Sequence, residues 1–365
     1  MERVMGLIAA NCSSEALGSL TAERTIASLP FGGRYRLIDF PLSNMVGSGI
    51  RTVGLVMPYK YRSIIDHVGA GKEWGLDRKI GGLYILPGSV FGVNAMDHRF
   101  LLRDVRRNLI FLKRSEKQYV LCAGSNYVCN MDYGELLKSH IDSGAGITML
   151  VQPSRRDDPD LLHVKTIGSE VRAFEEGVHT GDLAFAGSFL IDHDLLVKLL
   201  GWYRAVDYMD LFEAIAPDLD KIRVRVCIFD GYFRSIHTIK DYYDVSMELL
   251  DRPVRHALFS SERPVTTKIL DTVPTKYSGS CRVENSLIPA GCNIRGVVKN
   301  SVLFRGVTVE EGAMVSDSVI MQNCVIRSGA CVEHAILDRY NEIGAGMAIR
   351  GTQEKVFVLP KANRW

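Results

Sequence analysis

The sequence predicts two unlike parts in one chain. Residues 1–250 read as an open, mainly parallel α/β sheet, and residues 281–365 as a left-handed parallel β-helix of hexapeptide repeats, with residues 251–280 as connector. Three observations lead there. Short apolar runs alternate with longer helix-like stretches up to about residue 250. Beyond that point a 17-residue repeat sets in. Finally, 365 residues, 47% hydrophobic and 24% charged, can fill two cores and are too apolar for a disordered chain.

In the first part, residues 4–10, 52–57, 119–123, 147–151 and 223–229 read as strands, several of them nearly continuous in apolar residues. Strands covered on both faces have that character. The apolar run 4–10 follows only Met1-Glu2-Arg3, with no net positive charge and no small-residue cleavage pattern, so it reads as a buried strand rather than a leader or lipid anchor. Residues 99–111 and 132–143 read as helices, the second opened by Asp132 as N-cap or first-turn acid. Strand, helix, strand in this order implies a mainly parallel sheet with helices on both faces.

The repeat of the second part can be counted. Ser301-Val302-Leu303, Ser318-Val319-Ile320 and Ala335-Ile336-Leu337 recur at 17 residues, as do Gly312, Gly329 and Gly346. Within each unit an aliphatic residue returns every six: Leu303, Val309, Val315; Ile320, Ile326, Val332; Leu337, Ile343, Ile349. A six-residue step puts one inward aliphatic on each side of a triangular coil, and stacked coils bury a continuous core. The glycines suit corners that need positive φ.

Charge and cysteines narrow the class. A formal net charge of +2 gives no general field for nucleic acid or an anionic membrane, though phosphate could still be held locally. No apolar run reaches the 18 or more residues that span a bilayer. The eight cysteines contain no C-x-x-C and several sit in apolar runs, which reads as reduced, buried thiols in a cytoplasmic protein.

Residues 29–44 read L-P-F-G-G-R-Y-R-L-I-D-F-P-L-S-N. This closely resembles the P-F-G-G-K-Y-R-L-I-D-F-P-L-S-N segment of the bacterial glucose-1-phosphate adenylyltransferases (ADP-glucose pyrophosphorylases). N-M-D-Y at 130–133, G-Y-F-R at 231–234 and N-S-V-L-F-R-G-V at 300–307 extend the resemblance nearly end to end. It implies a Rossmann-like nucleotidyltransferase domain followed by a left-handed β-helix. It also implies the family reaction, in which a sugar-phosphate oxygen attacks the α-phosphate of ATP to give ADP-glucose and pyrophosphate. Two anions must meet, so such a site needs backbone N–H groups at close approach, cationic side chains and Mg²⁺ held by carboxylates.

Position by position, those groups are replaced. The family's L-A-G-G-x-G-x-R-L loop falls on residues 9–17, A-A-N-C-S-S-E-A-L, so Asn11, Cys12 and Ser14 stand at its glycines and Ala16 at its arginine, with Glu15 adding a negative charge. The lysine of R-A-K-P falls on Ile26, the aspartate of G-D-H-I-Y on Ser125, and the aspartate of G-Y-W-x-D-V-G-T on Ser235. The sugar-phosphate motif F-x-E-K-P keeps its acid as Glu176 and puts Gly177 at its lysine. Losing one preorganised electrostatic group typically costs about 10²–10³ in rate. Losing the metal carboxylates, lysines and phosphate loop together leaves no catalytic residue to assign.

The pattern resembles the GlgD-type subunit of the family. That resemblance implies a non-catalytic, regulatory chain that works with a catalytic subunit, in a heterotetramer, in glycogen synthesis. No cofactor is then expected here, since Mg²⁺ and ATP belong to the catalytic partner; neither nucleic acid nor membrane is expected as a partner. Two arginines of the family's interdomain anion site map onto Arg24 and Arg36, which suit a phosphorylated metabolite effector; ordinary structural ion pairs are the competing reading. Two other functions stay open: a weak adenylyltransferase using rearranged ligands such as Glu176 and Asp230, and a free-standing sugar-nucleotide or effector sensor. His237 reads as structural or solvated; His334 could serve as the coil base of a hexapeptide acyltransferase, a rival reading that leaves about 250 residues of the first domain unexplained. The basic cluster Arg99, Arg103, Arg106, Arg107, Lys113 and Arg114 reads as a solvated face, with a phosphate or partner contact as the alternative.

Overall fold

The computed structural model describes residues 1–10, 12, 15–57, 60–88 and 100–362. Asn11, Ser13 and Ser14 of the altered loop and Arg99 of the basic cluster therefore lie outside the described residues. The α/β domain contains strands β1 (Val4–Ala9), β2 (Pro30–Phe31), β3 (Tyr35–Arg36), β4 (Thr52–Met57), β5 (Gly82–Pro87), β6 (Tyr119–Ala123), β7 (Tyr127–Cys129), β8 (Ile147–Pro153), β9 (Asp158–Ile167), β10 (Glu170–Val178), β11 (Leu183–Asp192), β12 (Val224–Ile228) and β13 (Phe233–Ser235). The main sheet runs β5-β4-β1-β6-β11-β8-β12-β10-β9 among the described residues. β5, β4, β1 and β6 are parallel, as are β8 and β12. β11 is antiparallel to both β6 and β8, and the β9–β10 hairpin closes the far edge. The β9–β10 hairpin was not visible as apolar runs, because only Asp158 and Val164 of β9 and Val171 and Val178 of β10 are buried.

Alternation along β1 separates the two faces. Met5, Leu7 and Ala9 enter one core with Phe185, Phe189 and Phe212; Val4 and Ile8 enter the other with Leu42, Met45 and Ile64. Helices thus cover both faces. The helix expected over 99–111 is broken: Leu102–Arg107 and Leu109–Lys113 meet at Asn108, whose amide donates to the carbonyls of Asp104 and Pro87, both at 2.8 Å. Such a side-chain competitor for backbone groups interrupts a helix. Asp132 lies just before helix Gly134–Ser143, where its carboxylate accepts from the Gly134 N–H at 2.8 Å. All eight cysteines are free, and no described helix is long and apolar enough to cross a membrane.

The second domain is a parallel β-helix with three sheets. The counted aliphatic residues stack in register on each face: Leu303 on Ile320 on Leu337, Val309 on Ile326 on Ile343, and Val315 on Val332 on Ile349. Gly312, Gly329 and Gly346 have φ of 75°, 70° and 69°, at successive levels of one corner. The first β-helix strand, Lys276–Tyr277, pairs with Asn293–Ile294 and so begins inside the stretch read as connector.

The domains share one apolar seam. The β-helix face carrying Val302, Phe304, Val319, Met321 and Ile336 packs on Tyr242, Tyr243 and Leu249 and on Leu29, Phe31 and Phe40. The most recognisable segment of the sequence is therefore the seat of this joint. Gly33, at φ 81°, turns between β2 and β3, and an added Cβ would lie 3.1 Å from the Leu303 carbonyl oxygen. Phe304 is fully buried in the seam. Phe304→Ala is expected to cost about 3–5 kcal/mol of stability, read as a lowered urea midpoint; a loss below about 1 kcal/mol would mean that the seam contributes little.

Candidate functional site

The loops at the carboxyl ends of β1 and β6 are where an open α/β sheet places a ligand crevice. Here their polar groups satisfy one another. Ser125, fully buried, donates its hydroxyl to the Ala9 carbonyl at 2.9 Å. The buried Cys12 thiol lies 3.7 Å from the same carbonyl and 3.9 Å from Asn126 Oδ1. β13 pairs with β7, and Ile236 N–H donates to the Asn126 carbonyl at 2.7 Å, so Ser125 and Ser235 sit on neighbouring segments. The fold thus brings the two expected metal positions together, as hydroxyls.

The other replaced positions are equally local in their causes. Ile26 is fully buried in the seam core, on the short turn Ile26–Ser28, so its position faces protein rather than solvent. Ala16 is exposed on Glu15–Thr21. Gly177 has φ 77° at a register shift between β10 and β9, a backbone that would strain a lysine. Glu176 is exposed on β10, and Asp230 is exposed after β12. A groove beside Ser235 is lined by Arg155, Arg156, Arg234, Asp244 and Glu248, which include carboxylates and arginines together. Arg156 bridges Asp158 and Asp241 at 3.3 and 2.5 Å. Burial alone would push the Asp241 carboxyl up, but Arg156 and Thr238 outweigh it and hold it low.

No group of three or more His, Cys, Asp or Glu side chains with metal-holding geometry occurs among the described residues. With Ser125 committed to a carbonyl as well, the donor set does not fit Mg²⁺. The expected arginines behave differently from one another. Arg24 is 3% exposed and makes a buried ion pair across the domain boundary with Asp338, which is fully buried; its Nε donates to the Leu20 carbonyl at 2.8 Å. Arg36 makes no ion pair among the described residues: its guanidinium donates to the Ser63 carbonyl, while its backbone N–H donates to Asp39 at 2.9 Å. Burial, reinforced by the Arg339 cation, lowers Arg36 to about 10. Arg24 Nη1 and Arg339 Nε are buried with no hydrogen-bond partner among the described residues. These three guanidiniums form one cationic cluster, against which Asp338, Asp39, Asp66 and Glu23 are the nearby acids.

Arg339 and Asp338 were missed by reading the sequence, although the repeat marks them. Stepping by 17, Asp338 occupies the column of Phe304 and Met321, both fully buried, so a carboxylate there is an outlier needing a partner. Arg34, Lys268 and Arg305 were also missed. They line a groove between the β2–β3 turn, the connector and the first coil, with no acidic residue in the lining. Of the remaining candidates, His334 contacts the Tyr243 hydroxyl at 3.2 Å across the seam. Arg103 and Arg106 both pair with Asp207, leaving Arg107, Lys113 and Arg114 as the exposed cations of that cluster.

Comparison with known proteins places this architecture. The Nucleotidyl transferase family matches residues 6–252, and the GlmU-like C-terminal hexapeptide family matches residues 271–355. The glycogen biosynthesis protein GlgD of Bacillus subtilis (strain 168) is 34% identical over 98% of this chain and 96% of its own length. The chain belongs to the glucose-1-phosphate adenylyltransferase family. GlgD of Geobacillus stearothermophilus is likewise 34% identical, over 99% of this chain and 97% of its own length. A glucose-1-phosphate adenylyltransferase of Bacillus cereus (strain Q1) is 30% identical over 96% and 95%.

Two outcomes follow from this geometry. Ser125→Asp would press a buried carboxylate against the Ala9 carbonyl, so it should lower the melting temperature without Mg²⁺ restoring it. A melting temperature that rises with added Mg²⁺ would show that the position accepts metal. Asp338→Asn leaves buried Arg24 without a counter-charge and should cost about 3–5 kcal/mol in urea unfolding. A near-neutral effect would mean that Arg24 finds another partner.

Proposed function

We infer that this chain is a non-catalytic, regulatory subunit of glucose-1-phosphate adenylyltransferase, acting with a catalytic subunit in glycogen biosynthesis. The observation that carries the reading is the pair Ser125 and Ser235. They lie on neighbouring segments at the positions where the family resemblance expects carboxylates, and Ser125 is turned onto the Ala9 carbonyl. Full-length similarity to two proteins named GlgD supports the same reading. In this account Mg²⁺, ATP and glucose 1-phosphate react on the catalytic partner, and the two chains form a cytoplasmic hetero-oligomer, a heterotetramer.

The regulatory part of the reading rests on the cationic cluster at the seam. Arg36 and Arg339 have no strong carboxylate partner, and Arg24 and Arg339 each hold an unused buried N–H, so a phosphorylated metabolite would satisfy groups now left open. Folding disfavours the protonated form of Arg36, since its folded value of about 10 is below its ordinary one. That destabilisation is present at neutral pH and fades as pH rises through about 10 toward the unfolded value. A bound anion would relieve it only while Arg36 is charged, so phosphate binding should weaken above that pH.

The test measures Mg²⁺-dependent ADP-glucose formation by this chain, by a catalytic adenylyltransferase subunit, and by their mixture. The expected result is no turnover by this chain alone and a changed rate in the mixture. Turnover by this chain alone would instead support a weak adenylyltransferase, and failure to bind or alter the catalytic chain would support a free-standing sensor. In the mixture, Arg36→Gln should raise the half-saturating concentration of inorganic phosphate roughly tenfold. An unchanged titration would remove Arg36 from the site.

A further inference from the structure

The chain that leaves helix His193–Trp202 forms a narrow aromatic ridge on the α/β domain. Two successive i→i+3 bonds shape it: the Val206 N–H donates to the Tyr203 carbonyl at 3.1 Å, and the Met209 N–H to the Val206 carbonyl at 3.0 Å. Three residues per turn then set every third side chain on the same side. Tyr203 and Met209 pack inward on the sheet core, and Val206 is half-buried between them. Trp202, Ala205 and Tyr208 fall on the outer side. All three are exposed, Trp202 at 64% and Tyr208 at 56%. At about 2 Å of rise per residue, the two aromatic positions lie about 12 Å apart along the ridge, with Ala205 between them.

The rim of the ridge is polar. Lys198, one helical turn before Trp202, and Arg204 are both exposed. Behind the ridge, Tyr203 and Lys221 each donate to Asp218 at 2.6 Å, and Arg103 and Arg106 both pair with Asp207. The backbone under the two rings is thus held on both sides, so the rings are carried on a fixed support. Exposed rings of this size are unused apolar surface.

The shape selects among ligands. A protein partner needs a contiguous apolar centre within roughly 800 Å² per side. Two rings separated by a methyl group make only a strip. Single-stranded nucleic acid also stacks on aromatic rings, but it needs a cationic groove along its phosphates, and Arg103 and Arg106 are already engaged by Asp207. A glucose ring offers an apolar C–H face for stacking and hydroxyls around its edge for hydrogen bonds. An α-1,4-linked chain repeats that face, so one short chain can rest on both rings while Lys198 and Arg204 donate to its hydroxyls. We propose that the Trp202–Tyr208 ridge is a surface binding site for α-1,4-linked glucan. It would hold this chain at the polymer that ADP-glucose extends. The choice of glucan rests on the role in glycogen biosynthesis, whereas the site itself needs neither a catalytic subunit nor the cationic cluster at the seam.

Native gel electrophoresis of the full chain alone, with and without glycogen in the gel, tests the site apart from any effect on turnover. The expected result is retardation by glycogen that maltoheptaose in the gel reverses. Trp202→Ala and Tyr208→Ala should each weaken the retardation roughly tenfold. Trp202→Phe, which keeps a ring, should retain most of it. Because both residues are exposed, the melting temperature should stay within a degree or two in all three variants. A chain that glycogen does not retard, retardation that maltoheptaose leaves in place, or retardation indifferent to both alanine variants would overturn the proposal. So would variants that keep glycogen retardation but lose association with a catalytic subunit, since the ridge would then be a protein contact.

Discussion

The interaction on which the rest of the molecule depends is the apolar seam between the β-helix and the α/β domain. Val302, Phe304, Val319, Met321 and Ile336 offer one flat face, and the other domain meets it with Tyr242 and Tyr243 from helix Ile239–Glu248 and with Leu249 just after it. Three polar contacts hold its register: Tyr243 donates to the Asp317 carbonyl, its hydroxyl meets His334 Nδ1 at 3.2 Å, and Arg24 pairs with Asp338. Apolar burial is non-directional, whereas buried hydrogen bonds and ion pairs are costly to misplace, so the polar contacts choose one arrangement from the many the apolar faces would allow. The β2–β3 turn, the connector and the cationic cluster all take their positions from this joint.

That joint also explains which parts of the family pattern persist. Residues 29–44 retain it almost letter for letter, and they form the surface on which the β-helix sits. Ile26, at the lysine position of the same region, has been absorbed into the seam core. Ser125 and Ser235 fall where the family resemblance expects metal carboxylates. A hydroxyl can replace a carboxylate there without loss of fold, because it finds a carbonyl to bond, as Ser125 does with Ala9. The residues that hold the two domains together are constrained by packing.

Legibility followed periodicity. The β-helix could be laid out from its 17-residue repeat down to which aliphatic residue stacks on which, because every coil imposes the same steric demand at the same step. Buried strands such as β4 and β6 announced themselves as apolar runs. The exposed edge formed by β9 and β10 did not, and neither did the break at Asn108, where a side-chain amide competes with the helix for backbone carbonyls. The glycine and lysine positions of the altered loops could be matched by counting. Gly177 could not be understood that way, since its meaning lies in a bulge that only the paired strand reveals.

The sequence alone determined the two architectures and the family resemblance, because each is a matter of local order: spacing, pattern and residue type at a counted place. Tertiary structure decided what joins distant residues. It put Arg24 against Asp338, 314 positions away, gathered Arg36 and Arg339 beside them, and turned Ser125 onto the end of β1. It also turned one β-helix face onto the α/β domain and left the face of Glu310, Arg327 and Glu342 outside. The physical reason is that an ion pair or a docked face has no period along the chain. It exists only once packing has brought its halves together and excluded the water that would otherwise serve them.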